Sequence, residues 1–357
     1  MAKKKVAEVA NSDESSADAV VRVIKDLNKE YGDGVAVSGL THANRPRHLI
    51  SVSPSFDMNA GPVADGTWML ISGPEKSGKT LTALNICREA QKPENGSRPV
   101  FYFDIECRVE QRDLLGTRGL NLDPGKFTHI RGVKGAPLVS TQHYQMAEKV
   151  LKDVPGVVVV FDSLSAMVPP ATAENGINTS GDRASSYKMA AQFCSMLQSV
   201  VPANGSIFIG IAHQYANTGG GMGAKWVEKI PNAFKYQGTV HLQVKWGERW
   251  RTGGKGDEAK GPQIGIIPHI FVKTASHGNP GVEFPLHIRY GVGIDKTYEL
   301  LQLGVELGVI EQAGSWLSLP WADGVKTQGV EKMYAMLDGD PDLCLGLAAQ
   351  IREATQV

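Results

Sequence analysis

The chain has 357 residues, 42% of them hydrophobic, and it carries 37 basic and 37 acidic side chains. This composition fits one large globular core with small appendages, and it contains no run of apolar residues that would cross a membrane. Because the formal net charge is zero, a surface for nucleic acid would have to be a local one.

The cysteines are Cys87, Cys107, Cys194 and Cys344, and their spacing matches no metal site. Scattered thiols of this kind are typical of a reducing compartment. Residues 1–16 contain basic residues but no apolar segment of a signal peptide. We therefore expect a cytoplasmic protein that does not associate with a membrane.

Residues 14–31 are predicted to form an amphipathic helix that ends at the glycines of residues 31–34. Its apolar positions share one face: Val20, Val21, Ile24 and Leu27. From the helix alone, this face either packs on the core of its own chain or docks on a neighbouring subunit.

The middle of the chain alternates between short apolar runs and segments of helical length. The apolar runs are residues 67–73, 99–104, 156–162 and 206–212. This pattern predicts an α/β fold with a mostly parallel central sheet that is covered on both faces.

Three later segments alternate between apolar and polar residues, and we expect them to be antiparallel strands added to one side of the sheet. These are residues 238–246, 269–275 and 283–290. The predicted domains are therefore an N-terminal tail and helix (1–34), a core (35–294) and a small, mostly helical C-terminal domain (295–357).

Residues 73–80, GPEKSGKT, match the phosphate-binding loop pattern GxxxxGK[ST] between a predicted strand and a predicted helix. Its backbone N–H groups would bind phosphate oxygens, helped by the helix N-terminus. Lys79 would bind the β- and γ-phosphates, and the Thr80 hydroxyl would bind Mg²⁺. The predicted nucleotide site therefore comprises Gly73, Pro74, Glu75, Lys76, Ser77, Gly78, Lys79 and Thr80.

Two acidic positions follow predicted strands at the same edge of the sheet. Asp162 ends the run GVVVVFD, where it would bind Mg²⁺ directly or through water; the alternative is that it caps the next turn. Asp104 ends the strand of residues 99–104, and Glu106 lies two residues later. Glu106 is the candidate for the carboxylate that orients the attacking water, although a surface glutamate is the ordinary alternative.

The segment AHQYANTGGGMGAKW, residues 212–226, places His213 and Gln214 at the end of a predicted strand, followed by several glycines. Glycines allow positive φ and a close approach of the backbone to a ligand, but they lose much entropy on ordering. The residues alone leave open whether this is a ligand-binding loop or a mobile surface loop.

In this order, the motifs GPEKSGKT, FDIE, VVVVFDS and a strand that ends in His-Gln resemble the RecA recombinases. The resemblance covers roughly residues 15–355, including VVRVIKDLNKEYGDG and YGVGIDKTYELLQLGVELGVI. IAHQY and VELGVI are closer to the phage-type strand-exchange proteins of the T4 kind, so both bacterial and phage relationships stay open.

The resemblance implies a RecA-type core and an ATP- and Mg²⁺-dependent helical filament on single-stranded DNA. Such a filament pairs its strand with homologous double-stranded DNA, and mediator and single-strand-binding proteins are possible partners. Glu106 then matches the catalytic carboxylate, and Gln214 matches the glutamine that senses the γ-phosphate. The N-terminal helix is expected to pack on the next protomer.

The resemblance also implies two DNA-binding loops. The first, residues 169–186, has Arg183 and Lys188 as its candidate phosphate contacts. The second follows Gln214 and offers backbone amides and positive charge for phosphates, together with side chains that could insert between bases. Its candidate residues are Gly219, Gly220, Gly221, Met222, Lys225, Trp226, Lys229 and Lys235.

The sequence departs from the family at a pair of lysines that reach a neighbour's ATP. Lys273 occupies the first place, and Ala275 occupies the second. We therefore expect Lys273 alone to supply the catalytic cation across the interface, with help from His277 or Arg251 as the open alternative. In the RecA recombinases a tyrosine stacks on the adenine base. The corresponding position in this sequence lies near Asp113, so the sequence does not identify a base-stacking residue.

Two other functions remain as alternatives. One is a filament that only coats single-stranded DNA. In such a filament, ATP hydrolysis sets the time at which the protein is released from the DNA. The other is a P-loop ATPase with a different task, such as a helicase or a clock-type ATPase. Formation of joint DNA molecules separates the first alternative from a recombinase, and stimulation of hydrolysis by DNA separates the second.

Overall fold

The computed structural model describes residues 15–133, 137–175, 182–217, 226–252, 254–255 and 261–355. The side chains of residues 174–175, 182–185 and 254–255 are outside this description. The chain divides into two compact units, one up to Arg47 and one from His48 onward. Within the described residues, no helix is long and apolar enough to cross a membrane.

The helices are α1 Ser16–Tyr31, α2 Gly39–Ala43, α3 Pro54–Asn59, α4 Lys79–Ala90, α5 Gln111–Leu115, α6 Ser140–Asp153, α7 Pro170–Asn175, α8 Asp182–Leu197, α9 Val200–Ala203, α10 Asn232–Gln237, α11 Lys296–Glu306, α12 Val330–Gly339 and α13 Pro341–Thr355.

The strands are β1 Leu49–Ile50, β2 Val63–Ala64, β3 Trp68–Gly73, β4 Val100–Asp104, β5 Phe127–Ile130, β6 Val158–Asp162, β7 Ile207–Ala216, β8 Trp226–Glu228, β9 Val240–Arg251, β10 Gly254–Lys255, β11 Gln263–Thr274, β12 Glu283–Pro285, β13 Ile288–Arg289, β14 Gly293–Ile294, β15 Glu311–Ala313, β16 Trp316–Leu319 and β17 Val325–Gln328.

The first unit contains α1 and α2. The side chain of Ser15 accepts a hydrogen bond from the backbone N–H of Asp18, which caps the start of α1, and Gly32 follows its last residue. The predicted end of this helix is therefore confirmed. The side chain of Asn28 exchanges two 2.8 Å hydrogen bonds with the backbone of Ala36, which ties the following segment to the helix.

The second unit is built on a sheet with the order β14-β13-β11-β9-β3-β7-β6-β4-β5. The strands from β5 through β3 to β9 are joined by parallel ladders, and β9, β11, β13 and β14 pair in antiparallel fashion. The predicted α/β fold with a mostly parallel core sheet is thus confirmed. The long strand β9 is parallel to β3 and antiparallel to β11, so it joins the two parts of the sheet.

The core lies on both faces of the parallel strands. Val158 and Val160 of β6 belong to the cluster that contains α4, whereas Val159 and Phe161 belong to the cluster that contains α6 and α8. Alternate side chains of a strand point to opposite faces, so both sets are removed from water only in a covered sheet. This is why the predicted strands are continuously apolar.

The C-terminal residues have a hydrophobic core of their own. Helices α11, α12 and α13 pack with the antiparallel strands β15, β16 and β17. Leu301, Leu319 and Met333 are fully buried in this cluster. The predicted boundary between core and C-terminal domain stays a prediction.

Candidate nucleotide and DNA site

The loop of residues 73–78 joins β3 to the start of α4. Gly78 has φ of 100°, a left-handed conformation that favours glycine, and Lys79 begins the helix. A Cβ on Gly73 would lie 2.2 Å from the backbone oxygen of Val244, so the backbone needs glycine there as well. Strand, loop and helix therefore have the arrangement that a phosphate-binding loop requires.

Lys79 is only 5% exposed, and its Nζ donates a 2.5 Å hydrogen bond to the backbone oxygen of Pro74. Burial lowers the pKa of its ammonium group, while the nearby charges of Asp162, Glu106 and Glu75 oppose that shift. The cation is thus held inside the loop, facing a group of carboxylates.

The end of β6 brings Asp162 to the phosphate-binding loop. Its Oδ2 accepts hydrogen bonds of 2.7 Å from the Thr80 hydroxyl and 2.6 Å from the Tyr102 hydroxyl. Burial raises the pKa of Asp162, and both hydrogen bonds oppose that shift. The two residues predicted to bind Mg²⁺ are thus hydrogen-bonded to each other, and their role in binding the metal stays a prediction.

These oxygens fit Mg²⁺, which proteins commonly hold through one or two side chains together with phosphate oxygens. Among the described residues, no cluster of three or more His, Cys, Asp or Glu is arranged to hold a metal ion by itself. Thr80 and Asp162 supply two side-chain oxygens beside the phosphate-binding loop.

Glu106 lies beside this group and is held by three side chains. The Ser163 hydroxyl donates to its Oε1, the His213 ring lies 2.5 Å from the same oxygen, and Arg108 lies 3.2 Å from Oε2. Burial raises the pKa of Glu106, but the hydrogen bonds from His213 and Ser163 and the charge of Arg108 outweigh it and lower the pKa to about 2. Glu106 is therefore an ionised carboxylate at neutral pH.

Gln214 lies at the end of β7 in a polar network rather than on the surface. Its side-chain nitrogen donates to Glu228 at 3.1 Å, and its side-chain oxygen accepts from Gln243 at 3.0 Å. Lys273 of β11 forms an ion pair with the same Glu228. The structure thus connects two predicted site residues through a carboxylate that the sequence did not single out.

A cavity of about 820 Å³ lies beside Lys79 and Thr80. Its lining includes Asp113, Ile288 and Tyr290, and the side chain of Tyr290 is half exposed. The size and position of the cavity suit the base and sugar of a nucleotide whose phosphates occupy the loop.

A family model described as RecA C-terminal domain matches residues 298–356. The chain is 28% identical to Protein RecA of Streptococcus gordonii over 94% of its own length and 84% of that relative. It is 26% identical to Protein RecA of Thermus aquaticus over 96% of this chain and 95% of that relative. A third relative, Protein RecA of Nitratiruptor sp., is 28% identical over 96% of this chain and 94% of that relative.

The chain is therefore similar to the RecA proteins. The likeness spans both the core and the C-terminal region, because nearly the whole chain aligns with each of these RecA proteins. The resemblance stated from the motifs is thereby confirmed.

The predicted DNA-contact residues of this chain fall partly outside the described residues. Gly219, Gly220, Gly221, Met222 and Lys225 are among those not described, and neither is the side chain of Arg183. Lys188 is exposed on α8, and Lys229 is exposed with its Nζ 4.7 Å from the centre of the Tyr215 ring. Their role in DNA binding stays a prediction.

Trp226 and Lys235 are described and contact other parts of the site. The Trp226 ring packs edge-on against Trp246 with 5.9 Å between ring centres, and the Trp246 indole N–H donates to the backbone oxygen of Glu75 at 3.0 Å. Lys235 Nζ lies 3.8 Å from Glu228. The end of the predicted second DNA loop is therefore connected to the phosphate-binding loop through Trp246.

Sequence reasoning missed several residues that hold this candidate site together. These are Tyr102, Ser163, Glu228, Trp246 and Tyr290. Their local sequence carries little signal, since Tyr102 lies within a buried strand and Glu228 lies in a short polar segment. The partial exposure of Tyr290, between two short strands, is visible only in the folded chain.

Proposed function

We propose that this protein is an ATP-dependent recombinase that forms a helical filament on single-stranded DNA. The filament pairs that strand with homologous double-stranded DNA and exchanges strands, and DNA stimulates ATP hydrolysis at the subunit interfaces. The observation that carries the proposal is the convergence of Lys79, Thr80, Asp162, Glu106 and Gln214 at the carboxyl edge of one RecA-type sheet.

In this proposal, the chain binds the triphosphate with the backbone amides of the loop and with Lys79, while Thr80 and Asp162 hold the metal. Mg²⁺ neutralises charge on the phosphate oxygens when it is bound. The base occupies the cavity beside Tyr290. The position of each side chain relative to the loop supports its proposed role.

Glu106 would orient and activate the attacking water, as its ionised state at neutral pH allows. His213 and Ser163 already occupy one of its oxygens, so a water has to bind at the other oxygen or displace one of them. Lys273 would contribute its charge to the transition state of a neighbouring subunit, in the manner of an arginine finger.

The test is steady-state ATP hydrolysis with and without single-stranded DNA, for the wild type, Glu106→Gln and Glu110→Gln. We expect DNA to stimulate the wild type, and we expect Glu106→Gln to lower the stimulated rate by about 100-fold or more while ATP binding is kept. The exposed Glu110 is the matched control and should change little. Hydrolysis that DNA does not affect would contradict the proposal.

A second assay separates a recombinase from a protein that only coats single strands. The wild type is mixed with a circular single strand and a homologous linear duplex, and joint molecules are measured. A recombinase forms them in the presence of ATP and needs homology. Tight coating of the single strand without joint molecules would support the coating function instead.

A further inference from the structure

Glu228 is a nearly buried carboxylate at which four side chains meet. Its side chain is 7% exposed. Oε1 accepts a hydrogen bond of 3.1 Å from Gln214, lies 3.3 Å from the His241 ring and pairs with Lys273, while Oε2 lies 3.8 Å from Lys235. Burial raises the pKa of Glu228, but hydrogen bonds from His241 and Lys273 outweigh it and hold the pKa well below its usual range.

The partners come from separate elements, and two of them belong to the proposed site. Gln214 lies on β7, Lys273 on β11, His241 on β9 and Lys235 on α10. Glu228 is the carboxylate that Gln214 and Lys273 share. A lysine that neutralises this carboxylate cannot at the same time place its ammonium group on a phosphate.

The position of Glu228 in the sheet links it to the predicted second DNA loop. β7 and β8 pair in antiparallel fashion, with Gln214 directly opposite Glu228 and Ala216 opposite Trp226. The two strands are the two ends of the connection that contains residues 218–225. A ligand that moves β8 relative to β7 would therefore move Glu228 away from Gln214.

We propose that Glu228 is a positioning residue that holds Lys273 and Gln214 away from ATP until DNA is bound. The inference rests on the proposed function, since it assumes that both residues act on nucleotide. Release of Lys273 would not leave the buried carboxylate without a partner, because the His241 ring lies 3.3 Å from Oε1. This matters because a buried charge that loses all its partners strongly destabilises a fold.

The test compares Glu228→Gln with the wild type in ATP hydrolysis, with and without single-stranded DNA, over a series of protein concentrations that allows subunit contacts to form. Glutamine keeps the shape but removes the charge. We expect the DNA-independent kcat to rise about fivefold or more and the stimulation ratio to fall, with KM for ATP changed less than twofold. A residue with only a structural role would not raise a rate.

The matched control is Glu283→Gln, which removes the ion pair between Glu283 and Lys245 at another place on the same sheet. Both rates should stay near those of the wild type. In the double variant Glu228→Gln/Lys273→Met, the extra DNA-independent rate should disappear. If Glu228→Gln does not fold, Glu228→Asp shortens the carboxylate and should raise the same rate to a smaller extent.

The outcomes separate the inference from the function on which it rests. A wild type that DNA does not stimulate contradicts the proposed function. A stimulated wild type together with a folded Glu228→Gln variant of unchanged or lower DNA-independent rate overturns the role of Glu228 alone. If the increase in DNA-independent hydrolysis persists in the double variant, the role assigned to Lys273 is overturned.

Discussion

The Nε2 atom of His213 lies 2.5 Å from Oε1 of Glu106, and the two side chains are brought together from positions 107 residues apart. This contact is one reason that the pKa of Glu106 is lowered to about 2 despite burial. The ionised form of Glu106 therefore stabilises the fold above the ordinary pKa of a glutamate, and this contribution is lost as the pH falls toward about 2.

Replacing His213 with asparagine should raise the pKa of Glu106, because burial is then opposed by fewer partners. In the wild type, Glu106 stays ionised between pH 5 and pH 9, because its pKa is lowered to about 2. In His213→Asn, the acid limb of the kcat profile should move to higher pH. A kcat profile measured between pH 5 and 9 checks this.

The control for that experiment is His269→Asn, which removes another histidine that lies near a glutamate, 3.4 Å from Glu283. Its acid limb should coincide with that of the wild type. An acid limb in His213→Asn that also coincides with that of the wild type would show that His213 does not set the ionisation of Glu106.

Trp246 should report nucleotide binding, since its indole N–H donates to the backbone of the phosphate-binding loop. We expect its fluorescence to change when ATP is added, and we expect Trp246→Phe to remove most of that change. Loss of one hydrogen bond of about 0.5–1.5 kcal/mol should also weaken nucleotide binding by about two- to tenfold. Trp316→Phe, in the C-terminal region, is the control and should keep the full response.

Glu299 should make the stability of the second unit depend on pH. Burial raises its pKa to about 7, against hydrogen bonds from the backbone N–H groups of Ser55 and His287. The protonated acid is thus favoured in the fold, so its contribution is fully present below the unfolded pKa and is lost as the pH rises through about 7.

Glu299→Gln mimics the protonated acid and should flatten the fall in Tm between pH 5 and pH 8.5. Across this range, the free energy of unfolding of the wild type should fall by at most about 3 kcal/mol more than that of the variant. Thermal unfolding at several pH values is the measurement. Glu306→Gln, an exposed position on the same helix, should show the same pH dependence as the wild type.

Gly73→Ala should destabilise the protein, because the added Cβ would lie 2.2 Å from the backbone oxygen of Val244 and 3.0 Å from the Ser77 hydroxyl. We expect a loss of about 1–3 kcal/mol together with weaker nucleotide binding. Denaturant unfolding and nucleotide titration measure the two effects. Gly339→Ala, where nothing lies within 4 Å of the added Cβ, should be near neutral.

Binding to single-stranded DNA should depend on salt through a few local contacts, because the net charge is zero. If about two to four phosphates are neutralised per protomer, the slope of log K against log salt should be about −1.4 to −2.8. Titrations at several salt concentrations give this slope. A slope near zero would contradict the prediction that Lys188, Lys229 and Lys235 contact phosphates.

Much of the fold and part of the site could be predicted from sequence. The continuous apolar run that ends in Asp162 predicted a central strand, and GPEKSGKT predicted the loop and helix that hold Lys79. The strand and the loop with its helix both depend on interactions between residues close in sequence, so short sequence patterns can predict them. The parallel contact of β9 with β3 was not predicted, because alternation gives the faces of a strand but not its neighbour.

The sequence by itself determined the resemblance to the RecA proteins, the mostly parallel α/β core and the carboxyl edge at which Lys79, Thr80, Glu106 and Asp162 would lie. The tertiary structure alone decided which groups hold them: His213 and Ser163 on Glu106, Tyr102 on Asp162, and Glu228 between Gln214 and Lys273. These pairs are far apart in the chain. Their contacts depend on strand order and register, which are settled by packing of the whole core rather than by any local pattern.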